Sequence, residues 1–155
     1  MKKFFTAQIC ENGHIASSYG DSTDLFCRKC GAPIISKCPA CKQPIKGKPN
    51  EDYSYMYSYE RPSFCVYCGS PFPWVIQAQE AAQELLALDA TLDPEEQKLL
   101  YNSIPDLVVD TPKSKVAATR WSRFLSHVKP QFQDAIKQVL IEVVSEGAKK
   151  VLFGS

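Results

Sequence analysis

Six of the seven cysteines stand in pairs separated by two residues, a spacing typical of metal ligands. The pairs are Cys27/Cys30, Cys38/Cys41 and Cys65/Cys68. The chain turns tightly between two such cysteines, so both thiolates can bind one Zn²⁺ with Zn–S bonds of about 2.3 Å. A redox-active Cys-x-x-Cys motif normally occurs once, beside a βαβ pattern that is missing here. The pattern therefore predicts metal binding rather than thiol redox chemistry.

The seventh cysteine, Cys10, is followed four residues later by His14. With this pair the sequence offers eight ligands, the number that two tetrahedral Zn²⁺ ions require. Sequential pairing places Cys10, His14, Cys27 and Cys30 on one ion, and Cys38, Cys41, Cys65 and Cys68 on the other. Interleaved pairing, as in the RING cross-brace of ubiquitin-ligase enzymes, is the alternative. Only seven residues separate Cys30 from Cys38, so the sequential order is favoured.

Both proposed sites take all four ligands from the protein, whereas a catalytic zinc keeps one position open for water or substrate. Zinc is therefore expected to stabilise the fold. The sequence contains no Gly-rich phosphate loop, no HExxH motif and no credible Ser-His-Asp set. We expect the protein not to be an enzyme, and a metal-dependent hydrolase is the least favoured reading.

The three Cys-x-x-Cys pairs form an internal repeat, since each has a proline three residues beyond its second cysteine. The residue directly after the second cysteine often needs a positive φ, which glycine adopts readily. Gly31 and Gly69 meet that expectation, but Lys42 does not.

A tyrosine-rich segment, residues 52–60, lies between the last two cysteine pairs. Its period of two predicts a strand with Tyr53, Tyr55, Tyr57 and Tyr59 on one face. We favour packing of these rings against the protein, with a partner surface for a peptide or protein as the alternative. Glu51, Asp52 and Glu60 make base stacking the weakest reading.

The composition changes after residue 75, and apolar residues recur at helical spacing. Helices are predicted from 74 to 88, from Pro94 to about Ser103, from 113 to 128, and from Pro130 to about Leu152. The predicted fold is a small zinc-bound, β-rich N-terminal half (a tandem double zinc ribbon, residues 1–75), followed by an all-α domain of about four helices (residues 76–155).

Five basic residues and no acidic one occur between Thr111 and Gln133. They are Lys113, Lys115, Arg120, Arg123 and Lys129. Such a run is more often a solvated helix face, and the alternative is a surface for nucleic acid or an acidic partner. His127 has no cysteine or carboxylate motif around it and is read as an ordinary residue.

The formal net charge of +1 falls to about −2 when two Zn²⁺ ions and their thiolates are included. This charge disfavours a protein that coats nucleic acid. A secretory signal is not recognisable, and no apolar run approaches the roughly 18 residues of a membrane span. We expect a cytoplasmic protein, where paired cysteines more often bind metal than form disulfides.

The run Ala7-Gln-Ile-Cys10-Glu-Asn-Gly-His14, the three cysteine pairs and Tyr59-Glu-Arg-Pro62 together resemble a known bacterial family. It is the family grouped under domain of unknown function 2321, described as small zinc-ribbon proteins. The likeness covers residues 7 to about 75 well and the helical half more loosely. It implies a bacterial or phage origin and the eight ligands named above, and it brings no activity with it.

These observations predict a non-enzymatic zinc-ribbon adaptor or scaffold that binds two Zn²⁺ and acts through the ribbon surface and the helical half. Its expected partner is another protein or a second copy of the chain. A nucleic-acid-binding zinc-ribbon protein using the basic helix 113–129 is the alternative. Membrane binding is not expected, and no small-molecule substrate is indicated.

Overall fold

A computed structural model describes residues 3–89 and 91–154. The chain forms two compact units, the first extending to Ile76 and the second beginning at Gln77. Within the described residues, the first unit contains five short strands, and five α-helices follow from Pro73 onward. None of the helices in the described ranges has the length and apolar character needed to cross a membrane.

The strands of the first unit form two small antiparallel sheets. Their bounds are β1 Phe4–Thr6, β2 Gln8–Cys10, β3 Ile15–Ser17, β4 Ile34–Ile35 and β5 Lys46–Pro49. β1 pairs with β5, while β2 lies between β3 and β4. Each of these strands contains only two to four residues.

Three loops carry the Cys-x-x-Cys pairs, and each is closed by one antiparallel bridge between its ends. The bridges join Phe26 to Pro33, Lys37 to Pro44 and Phe64 to Pro71. We call these segments the Cys loops, residues 26–33, 37–44 and 64–71. The repeat in the sequence is therefore a repeat in structure.

The core of the first unit is small. Its buried apolar residues are Ala7, Ile9, Cys10, Cys38, Ile45, Cys65, Phe72, Trp74 and Val75, of which three are cysteines. The rings of Phe72 and Trp74 stack with centroids 4.8 Å apart, and Trp74 Nε1 donates to the Pro62 carbonyl at 3.0 Å. Because this unit buries so little apolar surface, much of its stability must come from the cysteines and what they bind.

The strand predicted for residues 52–60 is wrong. The chain there makes a single 3₁₀ turn, Ser54–Met56, with Tyr57 N–H donating to the Ser54 carbonyl at 3.2 Å. An isolated strand without a pairing partner leaves its backbone groups unsatisfied, whereas the turn bonds them locally. Alternation of residue types was not sufficient because no neighbouring strand pairs with this segment in the described residues.

The helices are α1 Pro73–Ala87, α2 Pro94–Val108, α3 Pro112–Leu125, α4 Pro130–Leu140 and α5 Glu146–Phe153. α2 begins at Pro94 as predicted, but it passes through Pro105 instead of ending near Ser103. A proline inside a helix removes one backbone hydrogen bond. Ile104, Leu107 and Val108 are buried by the extra turn, and that burial offsets the lost bond.

The described residues contain five helices rather than about four, because the predicted last helix is two. α4 ends at Leu140, and α5 begins after Ser145, whose hydroxyl accepts a hydrogen bond from Ala148 N–H. Ser145 N–H donates to the Leu107 carbonyl at 2.9 Å. The intervening turn buries Val143 and Val144, which a continuous helix would have placed on different faces.

The second unit has a continuous apolar core. Fifteen buried residues from the helices and the turn before α5 form it, with Trp121 fully buried near the middle of α3. α3 packs against both α2 and α5. Trp121 Nε1 donates to Ser103 Oγ at 2.9 Å, so the one polar atom of this large ring is satisfied inside the core.

Candidate metal centres

Each Cys loop folds in the same way at the backbone level. In the first, Gly31 N–H donates to the Cys27 carbonyl at 2.8 Å, and the corresponding bonds end on Cys38 and Cys65 in the other two loops. These bonds fold the loop so that both thiols point to the same side. The Cys10–His14 turn has a related bond from Gly13 N–H to the Cys10 carbonyl, also 2.8 Å.

The first group comprises Cys10, His14, Cys27 and Cys30. Cys10 is the last residue of β2 and is fully buried, while Cys30 is exposed. His14 Nδ1 lies 3.5 Å from Cys10 Sγ and 3.6 Å from Cys27 Sγ, and the sulfurs of Cys10 and Cys30 are 3.7 Å apart. Nδ1 is thus the imidazole atom that faces the thiols.

The second group comprises Cys38, Cys41, Cys65 and Cys68. The sulfurs of Cys38 and Cys68 are 3.7 Å apart, and those of Cys41 and Cys65 are 3.6 Å apart. In both groups all ligand atoms lie within 4.8 Å of one another. The structure therefore groups the side chains in sequential order and not in the interleaved order of a cross-brace.

These separations fit a metal and do not fit disulfides. A disulfide requires an S–S distance of about 2.05 Å, and all seven cysteines are free. A tetrahedral ion with Zn–S bonds of about 2.3 Å gives S···S edges of about 3.8 Å, and a Zn–N bond of about 2.05 Å gives N···S edges of about 3.6 Å. The five separations given above, 3.5–3.7 Å, match these values, and the other ligand atoms of each group lie within 4.8 Å of one another. Each group is positioned to bind one metal ion.

Hydrogen bonds to sulfur stabilise negative charge on particular thiols. The pKa of Cys30 is lowered to about 6 by the Ala32 backbone N–H and then by Asn12, whose Nδ2 donates to Cys30 Sγ at 3.3 Å. The pKa of Cys68 is likewise lowered to about 6, by the Ser70 hydroxyl and the Ser70 backbone N–H. Each group therefore holds one exposed thiol that ionises readily.

Other thiols in the same groups resist ionisation. Burial raises the pKa of Cys10. The Gln43 backbone N–H lowers the pKa of Cys41, but desolvation and the three neighbouring thiols outweigh it and raise the value to about 12. The three thiols of the first group and the four of the second cannot all become anionic without a counter-charge, because like charges disfavour each other's ionised form. A divalent cation would supply that charge.

The backbone after each second cysteine has a left-handed conformation. Gly31 and Gly69 both have φ 75°, and Lys42 has φ 65°. Lys42 is the sole non-glycine residue with positive φ in the described ranges. The positive φ that the repeat predicts for this position is thus adopted at Lys42 despite a residue type that disfavours it.

The four tyrosines of the segment 53–59 differ in their surroundings. Tyr53, Tyr55 and Tyr57 are exposed, so the predicted packing of these rings is not found. Tyr59 is half-buried, and its hydroxyl donates to the Lys46 carbonyl at 2.6 Å. Burial raises the Tyr59 pKa to about 12. The first three therefore remain a predicted partner surface, while Tyr59 has a structural contact.

Four of the five predicted basic residues lie on α3 or at its start. Lys113, Lys115, Arg120 and Arg123 are exposed, and Lys129 is exposed just before α4. Within the part of the chain that the structure describes, the three residues Lys115, Arg120 and Arg123 border a single shallow depression on the outer face of α3. Their binding of a nucleic acid or an acidic partner stays a prediction.

Sequence reasoning missed two residues that act on the groups. Asn12 bonds Cys30 Sγ, and Ser70 bonds Cys68. Asn12 stands inside the Cys10–His14 motif, so its position was a usable signal. Ser70 occupies the place that Ala32 and Gln43 take in the other Cys loops, and alignment of the repeats would have marked it.

No curated protein and no solved structure matches the chain. One family profile matches residues 3–152, and its description reads "Uncharacterized protein conserved in bacteria (DUF2321)". The match extends through the helical half, beyond residues 7 to about 75. The chain therefore belongs to this conserved bacterial family.

Proposed function

We propose that each of the two ligand groups binds one Zn²⁺ and that the first unit is a tandem double zinc ribbon. The proposal is carried by the match between the observed ligand-atom edges and those of a zinc-centred tetrahedron. The donor set supports zinc as well, since thiolate with imidazole in tetrahedral geometry is typical of that ion. All four positions at each ion are filled by protein, as in structural sites.

We further propose that the protein is a non-enzymatic adaptor or scaffold. Ions with complete protein coordination stabilise a surface and do not bind substrate. Four large side chains that are close in sequence are exposed, Tyr53, Tyr55, Met56 and Tyr57, and grouped exposed side chains of this kind often mark interaction sites. These features support binding of another protein.

The metal proposal is tested by elemental analysis of the purified protein together with a His14→Ala variant. We expect two zinc ions per chain in the wild type and about one in the variant, because the first group loses a ligand. His127→Ala is the matched control, since His127 is exposed and distant in sequence from both groups, and it should retain two ions. One ion or none in the wild type would contradict the proposal.

Cobalt substitution gives an independent readout of the coordination. Tetrahedral Co²⁺ has intense visible absorption, and its thiolate charge-transfer band scales with the number of Co–S bonds. The second group, with four thiolates, should give a stronger charge-transfer band than the first group, with three thiolates and one imidazole. Weak absorption typical of octahedral Co²⁺ would overturn the closed-site assignment.

The adaptor proposal is tested by affinity purification from the bacterial host with matched variants. The wild type should retain a defined host protein or further copies of itself, and Tyr55→Ser with Tyr57→Ser should reduce that retention. Thr91→Ala with Asn102→Ala changes two exposed residues elsewhere and serves as the control. A wild-type protein that retains nothing above background, and stays monomeric, would contradict an adaptor function.

A further inference from the structure

Two exposed surfaces of opposite charge occur on this chain. The first is a loop of residues 51–60, which contains Glu51, Asp52 and Glu60 and no basic residue. The second is a stripe on α3 formed by Lys115, Val116, Thr119, Arg120 and Arg123. We call them the acidic loop and the basic stripe.

The acidic loop is held at both ends and exposed between them. Asn50 N–H donates to the Lys3 carbonyl at 2.9 Å before it, and the Tyr59 hydroxyl donates to the Lys46 carbonyl at 2.6 Å near its end. Four large side chains between these anchors stand out, with exposures of 64% for Tyr53, 70% for Tyr55, 71% for Met56 and 51% for Tyr57. An anchored loop loses little conformational entropy when it binds, which favours docking.

The basic stripe is one continuous face of a helix. Its residues are spaced i, i+1, i+4, i+5 and i+8, so they lie side by side along α3. The opposite face carries Ala117, Trp121 and Leu125, which are buried in the core. Val116 is 59% exposed in the middle of the stripe. Lys115, Arg120 and Arg123 have no ion pair with any acid in the described ranges.

We propose that the acidic loop of one copy binds the basic stripe of a second copy. The inference rests on the proposed interaction function and names the partner. Carboxylates of the loop pair with Lys and Arg of the stripe. Arg guanidinium groups also stack on tyrosine faces, which a strongly hydrated lysine ammonium group does less well. Val116 gives Met56 an apolar contact. The acidic loop and the basic stripe are thus complementary both in charge and in their exposed apolar side chains.

Each contact joins an acidic loop to a basic stripe, because like-charged surfaces repel and neither surface can bind its own kind. Where two copies make the contact once, one acidic loop and one basic stripe stay free at the ends of the assembly. Such a heterologous contact forms a ring if its rotation closes and a chain if it does not. Where two copies make the contact twice, loop to stripe and stripe to loop, the result is a two-fold symmetric dimer.

A nucleic acid is a less suitable occupant for the stripe. Every chain also carries the three carboxylates of the acidic loop, and the zinc-loaded net charge is about −2. Phosphate-led binding relies on a local excess of cations that attracts a polyanion over a distance. The same acidic loop that weakens binding to a polyanion supplies the complement for a second copy.

The experiment is a charge swap on the full zinc-loaded chain, read by sedimentation velocity over a wide range of protein concentration. One variant reverses the loop, E51K/D52K, and the other reverses the stripe, R120E/R123E. We expect the wild type to associate more as concentration rises and less as salt rises. Each variant alone should associate at least about tenfold more weakly, since two attractive contacts become repulsive.

An equimolar mixture of the two variants is the decisive sample. The reversed loop of one variant is complementary to the reversed stripe of the other, so association should return in the mixture. This recovery also shows that both variants are folded. The control K98E/K150E changes the same number of exposed charges elsewhere and should associate like the wild type.

Three results would overturn the proposal: a wild type that is monomeric at every concentration, variants that associate like the wild type, or a mixture without recovery. Loss of binding to single-stranded DNA by R120E/R123E, with no recovery in the mixture, would assign the stripe to nucleic acid instead. A monomeric wild type that still retains a host protein would remove only self-association and leave the adaptor function standing.

Discussion

At the scale of single residues, hydrogen bonds to sulfur set how readily particular thiols of each ligand group ionise. The Cys30 thiol is exposed, yet its pKa is lowered to about 6 because the Ala32 N–H and the Asn12 amide stabilise the thiolate. A metal ion competes with protons for such a thiolate. Residues that lower the pKa of a ligand therefore extend metal binding to lower pH.

Asn12→Ala tests this effect. The Cys30 pKa is depressed from its ordinary value of 9.0, so its favourable contribution is complete above that value and is lost as the pH falls through about 6. Removing the amide raises the Cys30 pKa, so metal release from the first group should begin at higher pH. We expect metal affinity at neutral pH to fall about 10-fold, the lower end for a ligand's supporting contact.

The measurement for Asn12→Ala is chelator competition across a pH series. Asn102→Ala removes an exposed amide from α2 and should leave the release curve unchanged. If Asn12→Ala released metal at the wild-type pH, the amide–sulfur contact would have no role in binding.

Lys42 gives a second prediction, since it alone has positive φ among the described non-glycine residues. A left-handed backbone costs a residue with a side chain about 1–2 kcal/mol. Glycine avoids this cost, but part of the gain in stability is lost because glycine loses more backbone entropy on folding. Lys42→Gly should therefore stabilise the second group by about 0.5–1 kcal/mol. The measurement is the urea midpoint for zinc release, read with a colorimetric indicator.

Gly31→Ala is the matched opposite of Lys42→Gly. A Cβ at Gly31 would meet no atom within 4 Å, so its whole effect comes from φ 75°. It should destabilise the first group by about 1 kcal/mol. Lys42→Ala keeps the unfavourable φ and should change little. Equal midpoints for Lys42→Gly and Lys42→Ala would show that the left-handed conformation stores no strain.

At the scale of elements, the sequence pattern predicted the features that depend on residues close together in the chain. The spacing of the cysteines predicted both ligand groups, because a short loop between two thiols leaves few other arrangements. The starts of α2 and α4 followed from Pro94 and Pro130. Asn12 escaped prediction because its contact joins it to Cys30, 18 residues away. Ser70 lies two residues from Cys68 and was missed although its signal is local.

The errors in the elements have tertiary causes. α2 continues past Pro105 because Leu107 and Val108 belong to the core. The predicted last helix divides because Ser145 bonds the Leu107 carbonyl, a contact between residues far apart in sequence. The tyrosine segment alternates as a strand does, but in the described residues no strand lies beside it. None of these contacts leaves a periodic signal.

Ser103 provides a prediction for the packing of α2 against α3. Its hydroxyl accepts a bond from Trp121 Nε1 at 2.9 Å and donates to the Leu100 carbonyl at 2.8 Å, all within the core. Ser103→Ala leaves the buried indole N–H without a partner, which should lower the free energy of unfolding by about 1–3 kcal/mol. Chemical denaturation followed by far-UV circular dichroism measures it.

The control for Ser103→Ala is Ser126→Ala, which removes an exposed hydroxyl that bonds only the Arg123 carbonyl in the described structure. It should change stability by less than about 0.5 kcal/mol. Equal effects of the two substitutions would mean that the buried bond is not a significant part of the packing.

At the scale of the whole molecule, the two units depend on different forces. The second unit buries a continuous set of fifteen apolar side chains. The first unit buries far fewer, and three of them are the ligands Cys10, Cys38 and Cys65. Burial of apolar surface can stabilise a helical unit of this size, whereas a small ribbon usually requires its metal.

Removal of metal should therefore unfold the first unit and leave the second folded. With excess chelator, the helical circular dichroism signal should decrease little, because the α-helices lie almost entirely from Gln77 onward. Trypsin should then cleave rapidly at exposed sites such as Lys29 and Lys37, while a fragment containing residues 77–154 persists. Re-added zinc should restore resistance at Lys29 and Lys37 if the same ions stabilise the fold. A first unit that resists trypsin without metal, or a helical signal that disappears when the first unit unfolds, would show that the two units do not differ in this way.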